Sequence, residues 1–319
     1  NMIEAALYSQ YADVEMVKAD DYTTRLPATF KELEKQGYGM FGNELLLAKD
    51  DTLPIRTYID FEAVAEEKEL DPISGVLEML GGLKPQEQIW IQFIVQPLVD
   101  FNPVGPNEIR DWEQKGQEAI NLIKGKSRTV IDKETGMPIF TMPCPAETDA
   151  MKAIDRTIGK PGFHTVIRYL YIAPKEMYTT NFGQRGVYSA LNQYATESFN
   201  KFKHNVHVWT RASIWYSPYV FPKLRLLNRR ERIWRRYRTR KIYDDTRITK
   251  ILDLGFFAAS SQGGRRIILN TEELATIFHL PTFIILTAPT VKRVESKKAG
   301  PPAGLPIYGG KEEELPGMK

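Results

Sequence analysis

Apolar and polar residues alternate with period two along Gln88–Pro97: Ile89, Ile91, Phe93 and Val95 interleave with Trp90, Gln92, Ile94 and Gln96, the pattern of a half-buried strand. Phe163–Ala173 repeats the signature, with Phe163, Thr165, Ile167, Tyr169 and Tyr171 on one side. Further strands are predicted at Val14–Val17, Tyr38–Ala48 and Ile55–Phe61, and as a pair at Ile251–Ala259 and Arg265–Leu269 around a glycine-containing loop. Helical periodicity marks Ile3–Tyr11, Lys31–Gln36, Asn107–Lys124, Glu147–Ile158 and Gly183–Lys201. Another helix starts at Asp71 with Pro72 in its first turn and stops at Gly81-Gly82, the expected placement of proline and glycine. In Ile268–Pro281 a strand end feeds a short helix. Asn270 is its cap and Glu273 closes the capping box; Leu274, Ile277 and Phe278 form one apolar face, and Pro281 is the stop.

A helix, a glycine-containing turn and a strand follow one another twice, in Asp71–Pro97 and Glu147–Ala173. This order predicts an α+β fold of two similar helix-backed halves with mixed or antiparallel sheets, ferredoxin-like in outline. The expected divisions are an N-terminal domain at 1–125, a turn-rich linker at 126–146, a second domain at 147–288, and an extended Pro/Gly-rich tail at 289–319.

Size and composition narrow the class. A chain of 319 residues can bury a large core, and 42% hydrophobic with 26% charged residues is ordinary for a globular protein. Its one cysteine, Cys144, excludes an intrachain disulfide and fits a reducing compartment. No apolar run reaches the roughly 18–20 residues that span a bilayer. The start at Asn1, directly in an amphipathic segment without a signal peptide, is read as a cut beginning.

Charge is uneven. Lys223–Lys250 holds 12 lysines and arginines against Glu231, Asp244 and Asp245, a net 12 − 3 = +9, which leaves 3 − 9 = −6 for the rest of the chain. The candidate contact residues are Arg229, Arg230, Arg232, Trp234, Arg235, Arg236, Tyr237, Arg238 and Arg240. Arginines interleaved with aromatics can follow phosphates and stack on bases, so DNA is one expected partner. An acidic protein surface, acidic lipid or plain solvation are the others. As a helix the segment would carry arginines all round; as two strands it could present one row.

Other chemistry lacks a starting point. A phosphate-binding loop needs G-x-x-x-x-G-K-S/T, but Gly304–Glu312 is one residue longer and has glutamate in the last place. His204 and His207 form an H-x-x-H pair without cysteine or paired carboxylates, weak grounds for a metal. His279 reads as a helix-end histidine, and Cys144 as a bystander between Pro143 and Pro145. Neither catalytic residues, a cofactor nor a metal is expected.

Five blocks, in order along the chain, resemble the region upstream of the motor in bacterial conjugative type IV secretion ATPases of the FtsK/HerA class: Leu7–Thr23, Asp71–Pro97, Ala153–Tyr178, Leu191–Lys203 and Ile268–Pro281. Glu295–Pro306 is similar to the proline-rich strap that leads to the ATP-binding loop in those proteins. The resemblance implies a non-catalytic cytoplasmic platform beside the membrane, associated with a hexameric motor and with membrane or secretion-channel proteins, itself a homo-oligomer. A free-standing nucleic-acid-binding protein and a structural subunit of a larger assembly are the competing expectations.

Overall fold

A computed structural model describes residues 2–10, 15–62, 71–98, 112–126, 130–131, 138–139, 144–196, 198–206, 208–211, 222–242 and 266–280. Its centre is the strand β5 (Gly162–Pro174). On one side β5 pairs antiparallel with β2 (Gln88–Pro97), from Gln88 opposite Ile172 to Pro97 opposite Phe163. On the other side it pairs antiparallel with β1 (Tyr38–Leu47) and then, further along, with β7 (Ile267–Asn270). β6 (Phe202–His204) adds to the far side of β1, giving a five-stranded sheet in the order β2-β5-β1-β6 with β7 beside β5. A two-stranded antiparallel pair, β3 (Val130–Ile131) and β4 (Pro138–Ile139), forms a separate sheet.

The sheet is covered on both faces. Successive side chains of a strand point to opposite faces, and the two sets have different neighbours. Ile167, Tyr169, Tyr171 and Ala173 of β5 join Phe41, Leu45 and Leu47 of β1 under α7 (Thr180–Leu191) and α4 (Ser74–Gly81). Leu170 and Ile172 join Met40 and Trp90 under α2 (Phe30–Lys35) and α8 (Pro222–Thr239). Gly183 of α7 permits close approach, since a Cβ there would lie 2.7 Å from that of Phe41. Gly37 holds the turn from α2 into β1 at φ 87°, a region open to glycine. α5 (Trp112–Lys126) and α6 (Pro145–Ile158) pack together over a small core of Ile120, Ile154 and Ile158.

The fold is thus α+β with an antiparallel sheet, but the two separate halves are not observed. β1 and β2, expected in the first half, flank β5 of the second within one sheet. The repeated helix–turn–strand order yields two neighbouring strands of that sheet, β2 and β5.

Three local expectations also change. Ile55–Phe61 is not a strand: α3 (Tyr58–Glu62) forms there, since Asp60 accepts the Thr57 N–H at 3.0 Å and Thr57 O accepts the Asp60 N–H, a reciprocal helix start. The helix expected to reach Lys201 ends at Leu191. A 3-10 turn follows at Asn192–Tyr194, and the buried Asn200 then pins the loop by donating to Asp50 O and Leu53 O. Glu15–Val17 has no strand pairing. The helix at Ile3–Tyr11 is observed as α1 (Met2–Gln10). The strand expected at Ile251–Ala259 lies outside the described residues, as do His207 and the tail. Among the described residues, no helix is long and apolar enough to cross a membrane.

Candidate functional site

The Arg-rich segment folds as α8, eighteen residues long, and its spacing decides which side chains turn inward. Ile233, Trp234 and Tyr237 fall on one side at i, i+1 and i+4 and are wholly buried. The Trp234 ring stacks on Trp90 with centroids 5.5 Å apart, and Tyr237 lies 5.6 Å from the same ring. Trp234 Nε1 donates to Pro27 O and Ala28 O, both at 3.2 Å. The Tyr237 hydroxyl is 2.9 Å from that of Tyr22, and burial pushes its pKa up. The expectation that Trp234 and Tyr237 stack on bases therefore fails: both rings are core.

Most of the candidate arginines are held by the protein itself. Arg238 donates through Nη1 to Thr23 O, Leu26 O and Pro27 O at 2.8, 3.1 and 2.9 Å, and its guanidinium lies over Trp234. Arg229 reaches Trp209 O and Arg211 O at 3.4 and 3.5 Å. Arg230 lies over the Phe30 ring and 3.7 Å from Glu34. Arg240 pairs with Asp21 at 2.7 Å. Hydrogen bonds from Thr23, then Arg240, hold the Asp21 carboxyl below its usual range. Arg232 is half-buried and Arg236 buried, whereas Arg235 is exposed. A guanidinium offers five donors in a rigid fork, which suits it to gathering loop carbonyls that would otherwise lack partners. The one carboxylate of α8 works in the reverse direction. Glu231 accepts the N–H groups of Phe30 and Lys31 at 3.0 and 3.3 Å and so caps α2.

Beneath α8 lies a buried ion pair that inspection of the sequence missed. Arg168 of β5, 1% exposed, bonds the Glu44 carboxylate through Nε and Nη2, both at 2.8 Å. Its Nη1 donates to Gln92 Oε1 at 3.1 Å and to Arg236 O at 2.9 Å, while Gln92 donates to Tyr237 O at 3.1 Å. The sheet thereby supplies donors and a positive charge to the C-terminal end of α8, where carbonyls collect. The available signal was a charged residue in the middle of each of two apolar strands.

A second cluster surrounds α9 (Thr271–Ile277) and keeps the predicted capping box. Glu273 N donates to Asn270 Oδ1 at 2.8 Å, and Asn270 N to Glu273 Oε2 at 2.9 Å. Glu273 Oε1 also accepts the Ile55 N–H at 3.0 Å, joining α9 to the start of α3. Burial raises the Glu273 pKa to about 7, against the pull of the hydrogen bonds from Asn270 and Ile55. The neighbouring Glu272 is paired with Arg156 and Lys160. Ile277 is buried and Leu274 packs on the same core, but Phe278 falls just beyond the helix, 65% exposed, its ring 5.5 Å from Phe93.

His279 is, as expected, a helix-end histidine. Its Nδ1 donates to Ala275 O at 2.9 Å, and Nε2 lies 2.6 Å from Asp71 Oδ1, which also takes the Ile73 N–H. His204 Nδ1 faces the Asn43 side-chain amide at 2.9 Å, its ring 4.3 Å from that of Tyr188, and burial lowers its pKa. Among the described residues there is no group of three or more His, Cys, Asp or Glu side chains that could hold a metal ion. Cys144 is exposed at the start of α6, its N–H donated to Glu147.

These two clusters bring charged side chains together as fasteners between loops, helix ends and strands. No curated protein and no solved structure matches the chain. A family model described as a domain of unknown function (DUF8128) matches residues 1–293, and the chain belongs to that family.

Proposed function

We propose that this chain is a non-catalytic positioning domain of a membrane-associated type IV secretion ATPase of the FtsK/HerA class. It would stand at the cytoplasmic face of the membrane between secretion-channel proteins and a hexameric motor that hydrolyses ATP and moves DNA or protein. The observation that carries this reading is where the resembling blocks fall in the fold. Asp71–Pro97 provides α4 and β2, and Ala153–Tyr178 supplies the last turns of α6 and all of β5. Leu191–Lys203 leads into β6, and Ile268–Pro281 contains most of β7 and all of α9. The likeness therefore reaches four strands of one sheet, β2, β5, β6 and β7, together with α4 and α9, as expected of a shared scaffold rather than a shared reaction centre. The inward use of the arginines supports a body that docks over one that tracks nucleic acid.

The test is calorimetric titration of the chain with Mg-ATP, paired with co-sedimentation against a hexameric FtsK/HerA-type motor. Association with the motor and no nucleotide binding by the chain alone is the expected result. Stoichiometric ATP binding, or hydrolysis by the chain itself, would overturn the reading.

A further inference from the structure

Among the described residues, the outer strands of the sheet, β2 on one side and β6 and β7 on the other, differ in kind. β6 is three residues long, and short edges resist unwanted pairing. β2 runs for ten residues, QIWIQFIVQP, without one charged side chain, and among the described residues no strand pairs with its outer edge. Lysine or an inward charge, the usual guards of such an edge, are missing from it; the one proline, Pro97, is its last residue. Large apolar side chains are exposed on and beside it: Val95 at 42%, and Phe278 at 65% over Phe93.

The sequence of β2 is also complementary to itself. In an antiparallel pair related by a two-fold axis perpendicular to the sheet, facing residues share a face, so the axis must pass through a residue. Placed at Gln92, the axis sets Ile89 against Val95 and Ile91 against Phe93 on one face, and Trp90 against Ile94 on the other. Only Gln92 meets itself and Gln88 meets Gln96, and these are pairs of neutral amides. Every facing pair is apolar with apolar or amide with amide, and no like charges oppose one another.

We propose that the β2 edge is an interface with a second copy of this chain, joining two sheets antiparallel into one continuous sheet about Gln92. The backbone groups of the edge then find partners, as in strand addition. The inference is independent of the motor association proposed above and stands or fails separately from it.

The test is sedimentation of the full chain over a concentration series, alongside Val95→Lys. Val95 is partly exposed, so lysine there is tolerated by the monomer but would face Ile89 of the second copy. A concentration-dependent dimer is expected, with its dissociation constant raised about tenfold or more by Val95→Lys. In a Cys144→Ser background, spin labels on Val95→Cys would sit six residues apart along the joined strands, about 20 Å before label length is added. A monomer at every concentration overturns the proposal, as does a dimer indifferent to Val95→Lys. A monomer whose β2 amides resist hydrogen exchange would mean that another part of the chain covers the edge, and would also overturn it.

Discussion

α8 and α9 carry charge of opposite sign. Both direct that charge into the protein, by different means. α8 sends long guanidinium arms outward from a helix whose aromatic face is core, and they collect carbonyls from Thr23, Leu26, Pro27 and Trp209. α9 holds its carboxylates tightly, Glu273 on two backbone N–H groups and Glu272 between Arg156 and Lys160. Arginine keeps its proton at any accessible pH, whereas a buried glutamate exchanges one near neutrality. The basic fastener is therefore insensitive to pH and the acidic one is not.

The largest effect is expected under the end of α8. Arg168→Ala leaves Glu44 charged and unpaired in the sheet and frees Arg236 O, costing about 3–5 kcal/mol in urea denaturation. Joint replacement of Arg168 and Glu44 by apolar residues of similar volume should recover much of that loss, because the uncompensated charge is gone. At α9, Glu273→Ala orphans the buried N–H groups of Ile55 and Asn270 and should cost about 3 kcal/mol.

Acidity separates the two helices further. The folded-state pKa of Glu273, about 7, lies above its unfolded value of 4.5, so between these limits the folded chain holds a proton that the unfolded chain has released. Stability contributed by this group is present at the acid end of the window and is lost as pH rises through it, by an amount on the order of 3 kcal/mol. Glu273→Gln should flatten that slope, while substitutions in α8 should leave it alone; denaturation midpoints from pH 4.5 to 7 read both. A small effect is expected at Arg240, which follows α8 in the left-handed region at φ 50°. Arg240→Gly removes that strain and loses only an exposed ion pair with Asp21, for a gain of at most about 1 kcal/mol.

Much of the fold was legible because its cues are local. The alternation in Gln88–Pro97 and Phe163–Ala173 gave β2 and β5 almost to the residue, and Asn270 with Glu273 gave the start of α9. What could not be read depends on contacts between distant residues. The pairing of Gln92 with Arg168, 76 positions apart, merges the expected halves into one sheet. Glu231 capping an N–H 201 residues away turns a surface-like charge into a joint. Periodicity alone left α8 ambiguous because arginines surround it. Its aromatic residues Trp234 and Tyr237, grouped with the arginines as a contact surface, were in fact the mark of its buried face. The same distinction bears on any test of DNA binding. Exchanging Arg235, Arg236 and Arg238 together for Glu would disturb the buried Arg236 and the anchored Arg238 as well as the exposed Arg235, so lost binding would report unfolding.

The central claim is that the arginines of α8 hold this fold together from within. The direct measurement is urea denaturation of Arg238→Ala and Arg235→Ala side by side. Arg238→Ala should lower stability by about 1–3 kcal/mol, and Arg235→Ala should stay within about 0.5 kcal/mol of the parent. Equal effects, or a larger loss at Arg235, would contradict the account.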